Sequence, residues 1–517
     1  MKQYQKLIWL GIGLLAFVLI WSLPLPTGLS PAGQRAAAVT TLMAIWWVGE
    51  AIPIYATALV PLALFPPLGI LPADLTAQNY GHNYVLMLLG GFFIARAIEH
   101  QQLHRRIALG VIRTLGSRRP RIMLGFMGIT AFLSMWITNV AVVLMMLPIA
   151  TAVIARDETE AERPNRFGVA LLLGIAYAAS VGGTGTLIGT PPNMVMAGVL
   201  ENMFPQAPEI SFFSWMQMAL PLVVIFLPII WWYLVWYFGV QGRLGGGSTV
   251  IRAEWQALGR MGSGEKRVLI IFVLTALGWV FRRDWTVDET VIPGWGSLLG
   301  VADYVHDSTV AMLGALALFI VSDGASGKPS SGKPSSGKRS SGKPSSGKRL
   351  LDWKTARTIP WGVGLLLGGG FAIATAFRET GLAGWIGQNL VGVGQLPPVV
   401  MLALVVGVLI FLTEINSNTA TATIFLPILG TMAVASSINP LLLMIPATFA
   451  CSFAFMLPSG TGTNTVIFGS GRLRVPEMAR CGLGMNLISL VLLTLLLYFL
   501  IIPILGLESG LPSWAEN

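Results

Sequence analysis

Apolar stretches about as long as a membrane is thick recur along this chain, and they limit what it can fold into. A helix needs about 20 mostly apolar residues to cross a hydrocarbon core. Such stretches fall near 7–23, 36–50, 53–70, 83–99, 167–188 (continuing to about 204), 213–238, 267–282, 306–322, 360–380, 440–471 and 484–505. Only 11% of the 517 residues are charged and 54% are hydrophobic, whereas a soluble chain carries about 25% charge. The fold class is an all-α polytopic membrane protein with about 11 spanning helices. Lys2 and Lys6 precede "LIWLGIGLLAFVLIWSL", which is longer than a cleavable core of about 7–15 residues and has no A-x-A-like site after it. That segment reads as an uncleaved first helix.

Two further apolar stretches, 121–155 and 397–436, are too long for one span and carry polar residues in the middle. The basic residues say how they run. With the N-terminus cytoplasmic and both stretches returning to the side they entered, inner segments collect 28 of the 33 Lys and Arg. Outer loops keep almost none apart from Arg35, Arg282 and Arg283. Making either stretch a single span inverts everything downstream and breaks the positive-inside rule. Both therefore read as re-entrant hairpins, and the C-terminus is extracytoplasmic. The net charge of +10 sets orientation and gives no reason to expect nucleic acid. Residues 326–349 repeat a Ser-Gly-Lys-Pro/Arg unit that cannot bury a core and read as a flexible basic linker.

The second stretch contains "FLTEINSNTATATIFLPI" (411–428), dense in hydroxyls and amides. Set against "FLSMWITNVAVVLMMLPI" (132–149), it aligns Ser134 with Thr413, Thr138 with Ser417 and Asn139 with Asn418, at an offset of 279. "GGFFIARA" (90–97) and "GGFAIATA" (369–376) match at the same offset, and "GTPPN" (189–193) faces "GTGTN" (460–464) at 271. The topology makes the halves opposite in sense, and inverted repeats with broken helices at the midplane are the signature of secondary transporters. A turn inside the membrane leaves carbonyls and N–H groups unsatisfied. Carbonyls and hydroxyls suit Na⁺, while N–H groups at a helix N-terminus suit an anion. Glu414 beside the second tip fits either a functional ionisable group or a brace. "GGTGTLIG" (182–189) is Gly-rich but lies in an apolar helix and reads as close packing.

The organisation is then an N-terminal helix in 1–35, a first repeat in 36–240, a cytoplasmic linker in 241–266 and a second repeat in 267–505. A basic cytoplasmic linker at 323–352 interrupts the second repeat, and 506–517 form a tail. A membrane enzyme would need grouped acid-base, nucleophilic or metal-binding residues. Instead His82, His100, His104 and His306 are scattered, Cys451 and Cys481 have no metal-ligand spacing, and no cofactor motif is present. A channel would need a continuous pore rather than two opposed broken hairpins.

The chain resembles the divalent anion–sodium symporter family, carriers of di- and tricarboxylates or sulfate. The resemblance rests on "WWVGEAIPIYATALVPLALFP" (46–66), "LLGGFFIARAIEHQQLHRRIAL" (88–109), "GGTGTLIGTPPN" (182–193), "INSNTATATIFLP" (415–427) and "IFGSGRL" (467–473). It implies a homodimer carrying a C4 dicarboxylate such as succinate or malate, with citrate also in range, while the lack of a transit-like, Arg- and Ser-rich leader in the sequence favours a bacterial plasma (inner) membrane. It also implies Na⁺ as coupling ion, no other metal or cofactor, and an elevator-like cycle. An inorganic oxyanion carrier, or a sodium-independent exchanger, is the alternative. By this resemblance one sodium site uses Ser134, Thr138, Asn139 and Gly189, and the other uses Thr413, Asn416, Asn418 and Gly460. The anion is expected at Asn139, Val140, Thr190, Ser417, Asn418, Thr419 and Thr461. Two departures stand out. Val140 lacks the hydroxyl that the family carries at the first tip, and Gly462-Thr463 replace the usual two prolines.

Overall fold

The computed structural model describes residues 2–114, 116–157, 165–243, 247–287, 290–324, 348–389, 397–504, 506–507 and 510–516. Within these, the chain is nearly all helix, with one two-stranded ribbon pairing Trp285–Val287 to Thr290–Ile292. Seven described helices are long and apolar enough to span a membrane by length and composition, and shorter apolar helices accompany them. Long faces carry exposed apolar side chains, such as Leu15, Val224, Trp232 and Trp236, which belong against lipid.

The first helix, Lys2–Ser22, packs on Pro31–Gly49, and Gln34 Nε2 donates to the carbonyls of Ile20 and Leu23 at 2.9 and 2.8 Å where it ends. Ser30 caps the second helix through Gly33 N, with Pro31 at its first position. The expected span at 53–70 is instead two short helices, Ile54–Thr57 and Val60–Leu64. Pro53, Pro61, Pro66 and Pro67 deny it a continuous hydrogen-bond ladder. Helix Asn83–His100 packs against Asp307–Ile320 so closely that a Cβ on Gly90 would lie 2.6 Å from Ala311 Cβ.

Each long polar-centred stretch is two helices around a four-residue break. Arg119–Ser134 and Asn139–Asp157 flank 135–138, and Pro398–Thr413 and Asn418–Ala435 flank 414–417. Helix Arg166–Gly183 stops before an unwound 184–190 and restarts as Pro191–Met203. Leu441–Cys451 is followed by a non-helical 452–461 and then Gly462–Phe468. The unwound backbone therefore lies ahead of the Pro-Pro and Gly-Thr pairs, which open the second arms. This moves the expected breaks several residues toward the N-terminus, because proline fits the first turn of a helix, where its missing N–H has no partner to lose. The last long helix begins at Val475, nine residues ahead of the expected 484.

Two segments expected as loops are helical. Leu103–Ile112 and Gly247–Ala257 pack together on the basic side, where Arg106 pairs with Glu265 at 2.9 Å, Arg105 with Glu254, and Arg113 lies over the Trp255 ring. The 241–266 segment is thus docked in part rather than a plain linker. Two of the exceptional basic residues are neutralised at close range. Arg282 is buried against Asp307 at 2.6 Å and Glu209, and Arg283 also pairs with Glu209. Of the Ser-Gly-Lys linker, residues 325–347 lie outside the described residues.

Candidate functional site

The breaks at 135–138 and 414–417, here called the first and second tips, and the unwound segments 184–190 and 452–461 meet on one cavity of about 840 Å³. Thr138, Asn139 and Val140 line it from the first tip, and Asn416, Ser417, Asn418 and Thr419 from the second. Gly189 and Thr190 come from the first helix break, and Gly460, Thr461, Gly462 and Thr463 from the other. All seven expected anion-binding residues are on this wall. Six of the eight expected sodium residues are there too, while Ser134 and Thr413 are fully buried behind it. Among the described residues no Lys, Arg or His lines the cavity, and the one charged lining residue is Glu50, among Trp9, Trp47 and Tyr55.

The tips are built alike. Each first arm runs out at a hydroxyl residue, Ser134 or Thr413, and each second arm starts at an asparagine, Asn139 or Asn418. These ends and starts are again 279 apart. The helix breaks follow the same rule. Asn193 Nδ2 donates to the carbonyls of Gly183 and Thr186, ten and seven residues back, at 3.3 and 2.7 Å. Asn464 Nδ2 reaches the carbonyls of Ala454 and Leu457, also ten and seven residues back, at 3.0 Å each. Carbonyls released by unwinding are held by an amide from the arm that follows, which keeps the unwound chain in one shape. Asn193 and Asn464 had no assigned role in the sequence reading. The Asn that closes both aligned blocks was the available signal.

At the first tip, Ser134 Oγ and Asn139 Oδ1 are buried without a hydrogen-bond partner. Gly189 sits where the carbonyls of Ser134 and Gly183 crowd in, the former within 2.9 Å of where a Cβ would stand. A Cβ on Gly183 would come within 2.5 Å of Asn139 Oδ1. The close-packing reading of the Gly-rich run holds, but the run lies in a helix only up to Gly183 and is unwound over 184–189, and the packing also brings oxygens together. Buried oxygens without protons to accept cost about 1–3 kcal/mol each, and a desolvated Na⁺ removes that cost. At the second tip, Thr413 Oγ1 lies 2.8 Å from Asn418 Oδ1 and 2.9 Å from the carbonyl of Cys451. One hydroxyl proton serves one acceptor at full strength, so this cluster also keeps oxygen lone pairs for a cation. At Asn416, Oδ1 accepts from Ser417 N at 2.9 Å, and the buried Nδ2 has no partner. Its side chain thus offers a free donor in Nδ2 and keeps one lone pair on Oδ1, beside its backbone carbonyl.

Glu414 is a brace. Its carboxylate accepts from the backbone N–H groups of Phe455, Met456 and Leu457 at 2.6, 2.8 and 2.9 Å, and from Asn486 Nδ2 at 2.8 Å. Four donors satisfy the charge and tie the second tip to the unwound 452–461 segment.

A cavity that gathers hydroxyls, amides and unwound backbone at the meeting point of broken helices, in a membrane-spanning helical protein, defines a carrier of small solutes. Residues 4–506 match the family described as the sodium:sulfate symporter transmembrane region. The chain belongs to that family of symporters. It is 40% identical over 521 residues to the sodium-dependent dicarboxylate transporter SdcS of Staphylococcus saprophyticus, covering 99% of this chain and 95% of the relative. The SdcS of Staphylococcus aureus is 39% identical over 515 residues, covering 98% and 93%. The fold is similar to that of MtrF of Neisseria gonorrhoeae, with a TM-score of 0.55, 12% identity and 99% and 96% of the chains covered. It is also similar to the YdaH transporter of Alcanivorax borkumensis, with a TM-score of 0.50, 13% identity and 98% of both chains covered.

Proposed function

We propose that the protein is a secondary active transporter that carries a C4 dicarboxylate such as succinate or malate by sodium symport. The observation that carries this reading is the cavity bounded by both asparagine-bearing tips, with unpartnered oxygens beneath it and, among the described residues, no basic side chain on its wall. An anion held there needs its charge balanced, and only cations and helix N-termini remain to do it. The helices that start at Asn139 and Asn418 aim those termini at the cavity. The likeness to relatives named sodium-dependent dicarboxylate transporters points the same way.

In this reading Ser134, Thr138, Asn139 and Gly189 form one sodium site, and Thr413, Asn416, Asn418 and Gly460 form the other. The anion meets Asn139, Thr190, Ser417, Asn418, Thr419 and Thr461, with Val140 in contact. Each sodium shares an asparagine with the anion, so ion and substrate occupancy are coupled through one side chain at each tip. The halves are inverted repeats with re-entrant hairpins, a reading supported by the repeated offsets and by the matched asparagine reach. A homodimer working by an elevator cycle, with a cytoplasmic N-terminus and an extracytoplasmic C-terminus, completes the proposal.

The test is uptake of labelled succinate into proteoliposomes, with an inward sodium gradient or with potassium in its place, and with unlabelled malate, citrate and sulfate as competitors. Sodium-driven uptake blocked by malate supports the reading. Uptake blocked by sulfate alone moves the assignment to an inorganic oxyanion, and equal uptake in potassium removes the sodium coupling.

A further inference from the structure

On the cavity wall the two halves differ at two aligned places. The second tip presents Thr419 where the first has Val140, and the first helix break continues as Pro191-Pro192 where the second has Gly462-Thr463. Tips and breaks pair crosswise. Helix Asn139–Asp157 packs against Gly462–Phe468, and helix Asn418–Ala435 against Pro191–Met203. Val140 and Gly462-Thr463 therefore share one wall, while Thr419 and Pro191-Pro192 share the other. They are in contact, since a Cβ on Gly462 would come within 2.5 Å of Val140 Cγ2. The branched side chain fits only because position 462 has none.

The same wall carries three hydroxyls in a row. Thr463 Oγ1 is hydrogen-bonded to Thr461 Oγ1 and lies 3.3 Å from Ser180 Oγ, and Thr461 Oγ1 accepts from Asn464 N at 3.2 Å. Three hydroxyls hold three protons, and the two links use two of them. Among the described residues the remaining proton has no acceptor, and Ser180, Thr461 and Thr463 all line the cavity. The opposite wall has no such row among the described residues, because Pro192 stands where Thr463 does and the hydroxyls of Thr190 and Thr419 are not linked through a third.

We propose that Ser180 and Thr463 are anion-selecting residues. Their row delivers on the Val140 wall the hydroxyl donor that Thr419 delivers on the other, with the Gly462 notch seating Val140 so that the row is reached. The inference rests on the anion-carrier reading and adds Ser180, which the sequence did not mark, and a role for Thr463, which it marked only as a departure.

The experiment compares wild type with Thr463→Val, Thr463→Ser and the double variant Val140→Thr/Thr463→Val, in sodium-driven succinate uptake. Thr463→Val is expected to raise KM about tenfold, the worth of one hydrogen bond to a charged group, with the maximal rate within about twofold. Thr463→Ser restores KM, and the double variant recovers to within about threefold because position 140 then carries the hydroxyl. An unchanged KM in Thr463→Val, or a serine variant no better than valine, overturns the proposal. The same set is read as thermal stabilisation in detergent by succinate, malate, citrate and sulfate in sodium. A wild type stabilised only by sulfate refutes the dicarboxylate assignment, while the ratio of Thr463→Val to wild type for sulfate still decides the role of the row. No stabilisation of folded wild type by any of the four overturns both.

Discussion

The two tips share one plan and are held in different ways. The second is tied down by protein alone. Glu414 takes four hydrogen bonds, three of them from the unwound 452–461 segment, and Thr413 already bridges toward Asn418 and Cys451. At the first tip the residue aligned with Glu414 is Met135, whose carbonyl accepts from Thr186 Oγ1, and Ser134 Oγ and Asn139 Oδ1 find no partner. The difference teaches that a broken helix in a membrane can be stabilised by a buried carboxylate or left for an ion to complete. The second tip is preorganised, and in the proposed reading the first depends on a cation.

The largest break in that comparison is expected from Glu414→Ala. It strands three backbone N–H groups and Asn486 at once, and the loss should reach about 3 kcal/mol or more. Thermal unfolding in detergent reads it as a lowered midpoint. The aligned change Met135→Leu conserves volume and should cost less than about 1.5 kcal/mol, so similar losses in the two variants would refute the asymmetry.

Asn193→Ala and Asn464→Ala test what the halves share. Each leaves unwound carbonyls without their amide and should cost about 1–3 kcal/mol. Equal losses support one device used twice, and a loss in only one variant would limit the device to that half.

The smallest expected effect is also the most discriminating. In potassium, Ser134→Ala removes an oxygen that has no partner, so unfolding should stay within about 0.5 kcal/mol of wild type or improve. Thr413→Val removes a hydroxyl already in use and should cost about 1 kcal/mol under the same conditions. In sodium both variants should lose part of the stabilisation that ion binding gives the wild type. A Ser134→Ala variant that is destabilised in potassium would mean that the first tip is held by protein after all.

Much of this was legible in the chain. Hydroxyl and amide residues are costly in an apolar run, so their appearance at 413–419 and their echo at 134–139 marked both tips. What escaped had physical reasons. Leu103–Ile112 and Gly247–Ala257 are short, charged helices, and a reading tuned to long apolar runs passes over them as loops. The span expected at 53–70 counted apolar residues and underweighted four prolines. Glu414 gave no decision because a carboxylate buried among backbone donors has the same letter as one that binds a solute. Ser180 lies ten residues ahead of Thr190 in the chain, and only the folding of the second break onto the first brings it to Thr463.

The most direct measurement is equilibrium binding of labelled succinate to purified protein as sodium replaces potassium at constant ionic strength, in wild type, Asn139→Ala and Asn418→Ala. The account predicts no binding in potassium, a steep rise with sodium in wild type, and loss of that rise in both variants, since each asparagine serves an ion and the anion together. Binding that ignores sodium, or that survives both substitutions in folded protein, would contradict it.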